Sequence, residues 1–119
     1  MKILVVDDES SICEEFRDIL EDEGGYEVDI ALSGEAALRK IQDTAYDVVF
    51  LDVLMPKMEG REVFERIKRI RQVPVAIMSG YIPPNKERDI LALGAVACFK
   101  KPLDLARVKS LLESLKKKK

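Results

Sequence analysis

The chain has 119 residues, 47% hydrophobic and 35% charged, with a net charge of −2. That balance describes a soluble globular domain with enough apolar residues for a core, and it disfavours disorder, nucleic acid and anionic membrane as main partners. Two distant cysteines and no histidine argue against a Cys/His zinc site and any histidine base, leaving Cys13 and Cys98 as reduced, partly buried thiols.

No apolar run approaches the ~20 residues of a membrane span. The opening "MKILVVDDES" turns acidic too early for a signal peptide, so a cytoplasmic protein without membrane insertion is expected. Residues 1–119 read as one domain, either stand-alone or excised from a longer protein.

Short β-rich runs alternate with helical patterns. Strand one is Lys2 to Val6, followed by Asp7-Asp8-Glu9. Ser10 or Ser11 then caps a helix with Ile12, Phe16, Ile19 and Leu20 on one face, stopped by Gly24-Gly25. "YEVDIA" forms strand two, and Ser33 caps a helix with Ala37, Leu38 and Ile41 inward. Strand three is Asp47 to Leu51, ending against Asp52. After Gly60, Val63, Phe64, Ile67 and Ile70 form a stripe on the third helix. Strand four is Val73 to Met78, with Pro74 tolerated near its start. Pro83-Pro84 mark the entry to a short fourth helix ended by Gly94. Strand five is Ala95 to Phe99. Asp104 caps a last helix with Leu105, Val108, Leu111, Leu112 and Leu115 inward, and the terminal lysines read as its solvated, cationic last turn.

Five β-α units in strict alternation predict an α/β fold, a doubly wound parallel sheet with helices on both faces. In such sheets the C-terminal strand ends share one edge, where ligands bind. Strand one brings Asp7 and Asp8 to that edge, strand three Asp52, strand four Ser79 and strand five Lys101. Three converging carboxylates repel one another unless a cation intervenes, and an all-oxygen site suits Mg²⁺, with Mn²⁺ as the alternative. Asp52 can then act as a nucleophile toward a phosphoryl group, with the Ser79 hydroxyl and the Lys101 ammonium bonding its oxygens. Any one of these acids alone is an ordinary loop residue. Their coincidence at the ends of the appropriate strands carries the reading.

These residues resemble a bacterial response-regulator receiver domain, the CheY-like family. The resemblance covers essentially the whole chain and rests on "VVDDE" at 5–9, "LDVLMPKMEG" at 51–60, "MSG" at 78–80 and "KKP" at 100–102. It implies a (βα)5 flavodoxin-like sheet with strand order 2-1-3-4-5. It also implies that Asp52 is the phosphoacceptor of a two-component phosphorelay. Asp8, Asp52 and the backbone carbonyl of Leu54 would hold Mg²⁺ directly, and Asp7 mainly through water. Pro56 and Gly60 would shape the following loop, and Pro102 would follow a cis peptide that aims Lys101 inward. A sensor histidine kinase or histidine phosphotransfer protein would be the donor. An output domain or protein would be the target, reached through the fourth helix, fifth strand and fifth helix, a face through which a homodimer could also form.

Such a domain is a signalling phosphoacceptor that assists its own phosphorylation and dephosphorylation rather than a conventional enzyme. Three features depart from the family pattern. Cys98 stands where the family usually has a switching aromatic residue. By the same resemblance, Leu54 and Tyr81 would flank the pocket and favour a longer-lived acyl phosphate by hindering water. "IPPN" at 82–85 stiffens the entry to the fourth helix. A dehalogenase-like phosphatase would need an aspartate at position 54, and an FMN site would need a phosphate loop where "DDES" stands. The remaining alternative is an unphosphorylated pseudo-receiver acting as a protein-binding scaffold.

Overall fold

A computed structural model describes residues 1–52, 60–80, 84–101 and 103–117. Five strands, β1 (Lys2–Val6), β2 (Glu27–Ala31), β3 (Val48–Asp52), β4 (Val75–Ser79) and β5 (Ala97–Lys100), alternate with five helices. These are α1 (Ser10–Glu23), α2 (Gly34–Asp43), α3 (Gly60–Ile70), α4 (Pro84–Ala92) and α5 (Leu105–Lys117). The strands form one parallel sheet, as the alternation of elements predicts, in the order β2-β1-β3-β4-β5 that the family resemblance implies.

Side chains of a strand alternate between its two faces, so a continuous apolar run fills two cores at once. Leu4, Val6, Val49, Leu51, Val75 and Ile77 pack with Ala37 and Ile41 of α2 and Val63, Phe64 and Ile67 of α3. Ile3, Val5, Val48, Phe50, Ala76, Met78 and Phe99 pack on the other face with Cys13, Phe16 and Leu20 of α1 and Val108, Leu112 and Leu115 of α5. Phe50 is the centre of this second core, with its ring centroid 5.0 Å from Phe16 and 6.1 Å from Phe99.

Several boundaries differ from expectation for local reasons. Ser10 and Ser11 do not cap α1. Glu9 occupies the cap position with no side-chain capping bond, and its own N–H donates to Asp7 Oδ1 at 3.0 Å. Ser33 does cap α2, accepting from the Ala36 N–H, and Asp104 accepts from Ala106 and Arg107 at the start of α5. Asp47 falls just outside β3, where its carboxylate accepts the Lys2 N–H at 2.7 Å. Pro74 lies outside β4, although its carbonyl still accepts the Val49 N–H. β5 starts two residues later than predicted, after a turn in which Gly94 has φ 111°, a left-handed value that glycine adopts without strain. Ile70, expected on the buried stripe, is exposed because α3 gives way there to the loop at 71–74. Of the inward positions of α5, Leu105 and Leu111 are only half-buried.

Candidate functional site

Strand parity decides which side chains meet at the C-terminal edge. Ile3 and Val5 of β1 face α1 and α5, so Asp7, the next residue of that parity, does too. The same rule carries Asp52 from Val48 and Phe50, and Lys101 from Phe99. Asp7 is fully buried and Asp52 is 4% exposed, whereas Asp8, of the opposite parity, is exposed. Carboxylate oxygens of Asp7, Asp8 and Asp52 nevertheless lie within 4.8 Å of one another.

Lys101 bridges two of these acids. Its ammonium donates to Asp7 Oδ2 at 2.5 Å and to Asp52 Oδ2 at 2.8 Å, and its backbone N–H donates to the Ser79 carbonyl at 2.8 Å. Burial pulls the lysine toward its neutral form, but the bonds to Asp52 and Asp7 outweigh that and leave its pKa raised. The ammonium therefore remains charged across the physiological range and offsets repulsion between the buried carboxylates.

Asp7 is held at each of its polar atoms. Its N–H donates to the Ala31 carbonyl, Oδ1 accepts from Glu9, Oδ2 from Lys101, and its carbonyl accepts the Cys13 thiol at 3.5 Å. Ser79 ends β4 fully buried. Cys98 is also buried and faces the α2–α3 core, against which Ile90 of α4 packs; burial, then the charge of Glu87, raises its pKa. The backbone carbonyl of Leu54, Pro56, Tyr81, Pro83 and Pro102 lie outside the described residues.

The structure thus brings Asp7, Asp8, Asp52 and Lys101 together and seats Ser79 on the same edge. The donor set is made of hard carboxylate oxygens with no sulfur or imidazole, which fits Mg²⁺ or Mn²⁺. Sequence reasoning missed the Lys101–Asp7 bond and the contact from Cys13. Counting parity back from Asp7 and Lys101 would have indicated the first; the second has no signal in spacing alone. Beside the pocket, the Lys101 stem also lines a groove of about 200 Å³ with Ile12, Phe16, Ile19, Leu103 and Leu105.

A family model described as "Response regulator receiver domain" matches residues 3–113. The chain is 36% identical over 120 residues to the transcriptional regulatory protein CpxR homolog of Haemophilus influenzae, covering 93% of this chain and 50% of that protein. It is 37% identical over 103 residues to protein-glutamate methylesterase/protein-glutamine glutaminase 3 of Rhodospirillum rubrum, covering 85% of this chain and 28% of that protein. The chain therefore spans half or less of these curated relatives. Among solved structures, a CheY-like response regulator receiver domain protein from Methanospirillum hungatei superposes with a TM-score of 0.87 at 32% identity, over 99% of this chain and 98% of the other.

Proposed function

This chain belongs to the response-regulator receiver domain family, and we propose that within it Asp52 is the residue that accepts the phosphoryl group. The observation that carries this reading is the convergence of three carboxylates at one end of the sheet, two of them buried, with Lys101 bridging the buried pair. An Asp52 oxygen attacks the phosphorus of a phosphohistidine; the new P–O bond forms as the P–N bond breaks, and the departing imidazole takes up a proton. Asp8 and Asp52, with Asp7 behind them, would hold Mg²⁺, which supplies positive charge to the phosphoryl oxygens. Lys101 exchanges its bond to Asp52 for one to a phosphoryl oxygen, and the Ser79 hydroxyl donates to another.

The donor is a histidine kinase or phosphotransfer protein. The apolar groove beside Lys101, with Glu14, Glu15 and Asp18 exposed on α1, suits an apolar helix flanked by basic residues. Output runs through a population shift of the α4–β5–α5 face. Leu91, Leu93 and Val96 are exposed there, which supports its use as a docking surface. With Cys98 in place of an aromatic ring, that shift relies on Ser79, Lys101 and α4 rather than on a ring rotation.

Intact mass spectrometry after treatment with acetyl phosphate and Mg²⁺ tests the assignment. One phosphoryl adduct is expected on the wild type, lost with EDTA and lost in Asp52→Asn. Equal labelling of Asp52→Asn would overturn it, and no adduct under any condition would leave a protein-binding scaffold.

A further inference from the structure

We propose that Cys13 is a positioning residue for the acidic pocket, its thiol pinning the β1–α1 turn so that Asp7 and Asp8 stay aimed at Asp52. The proposal rests on the reading of the pocket given above and adds a residue to it.

Two independent observations place Cys13 in this role. The first is its contact: the thiol, fully buried, donates to the Asp7 carbonyl while the residue's own N–H donates to the Glu9 carbonyl at 3.2 Å. The backbone bond is the helix's ordinary first i→i−4 bond, which any residue at 13 would make; the thiol adds to it a side-chain tie from α1 back to Asp7, at the start of the segment that carries both acids. The second is the start of the helix. Glu9 occupies the cap position without a side-chain capping bond, so no serine or aspartate hydroxyl or carboxylate at that position secures the turn. Among the described residues, a further side-chain bond across the turn comes from Asp7 itself, through Oδ1 to the Glu9 N–H. That carboxylate also serves Lys101 and must adapt when a cation or phosphoryl group enters. The Cys13 bond uses the backbone carbonyl of Asp7 instead, and so survives rearrangement of the carboxylate.

Cys13 also belongs to the apolar cluster of Phe16 and Leu20, and a purely core role is the alternative to be tested. The two roles predict different outcomes. Outer-shell partners that orient ligands typically change metal affinity about 10-fold or more when removed, and a thiol is a weaker donor than most. Cys13→Ala and Cys13→Val both delete the donor, and Val keeps the apolar volume. Cys13→Ser keeps a donor but fills the core less well.

Mg²⁺ binding to the wild type and the three variants is measured by calorimetric titration at neutral pH, alongside thermal unfolding without metal. Ala and Val should each weaken Mg²⁺ binding about fivefold, while Ser stays within about twofold of the wild type. Metal-free unfolding temperatures should follow a different order, with Val nearest the wild type. Wild-type affinity in both Ala and Val, or losses that track unfolding temperature across all three, would overturn the positioning role and leave a core residue. A wild type that binds no Mg²⁺ would overturn the pocket reading and this inference together.

Discussion

At Lys101 two buried carboxylates share one ammonium, and a divalent cation would have to compete for the same oxygens. Deleting one partner of a buried ion pair typically costs about 3 kcal/mol or more, because the charge left behind has lost its compensation. Lys101→Met retains much of the stem volume but not the charge. We expect it to unfold at a lower denaturant concentration than the wild type without metal, and to bind Mg²⁺ roughly tenfold more tightly, matching the loss of one charge-assisted competitor. Denaturant titrations with and without Mg²⁺ check both effects. Tighter binding combined with a lower phosphorylation rate would separate the lysine's two tasks, guarding the acids and receiving the phosphoryl group.

Helices in this molecule are started by different means, and the difference bears on function. α5 begins on Asp104, whose carboxylate accepts two backbone N–H groups, and α2 begins on Ser33. α1, adjoining the pocket, has no such cap and is held from Asp7 and Cys13 instead. Removing a side-chain cap costs about 1 kcal/mol. Asp104→Ala should therefore lower the unfolding temperature by about 4 °C, with Asp104→Asn recovering most of it. Calorimetry decides this, and an unchanged temperature in the alanine variant would mean that α5 is held by its apolar face alone. Val108, Leu112 and Leu115 supply that face.

At the scale of the whole molecule, the acidity shifts among the described residues point one way. Burial raises the Cys13 thiol to about 11, with the Asp7 charge adding to it, and raises Cys98. Burial and then the hydrogen bond to Asp29 raise Tyr46, and Lys101 is raised as described. In each case the folded protein holds its proton more tightly than the unfolded chain. The associated stability is fully present below the unfolded values, 9.0 for the thiols and 10.0 for the phenol. It is lost as pH rises through the folded ones. Stability should thus be insensitive to these groups at neutral pH and fall steeply above about pH 9, Cys13 alone contributing on the order of 2 kcal/mol. Urea titrations between pH 8 and pH 11 measure the slope, which should be shallower in Tyr46→Phe above pH 10. A slope unchanged by that substitution would contradict the role given to the Tyr46–Asp29 bond, 2.7 Å long.

No described helix is long and apolar enough to cross a membrane. The order of elements, the two-faced burial of β1, β3 and β4, and the gathering of Asp7, Asp8, Asp52, Ser79 and Lys101 at one edge were all legible in the amino-acid sequence. They follow from short-range rules: apolar runs, turn residues and the common direction of parallel strands. The acids at strand ends stood out because an apolar strand rarely ends on several converging charges. The tertiary structure alone decided which partner each group takes. That Lys101 bonds Asp7 as well as Asp52, that Glu9 rather than Ser10 stands at the start of α1, and that the Cys13 thiol reaches the Asp7 carbonyl all depend on how α1 and β5 pack across the sheet. Those distances are set by contacts between residues far apart in the chain or between a helix and the strand before it, and no local spacing encodes them.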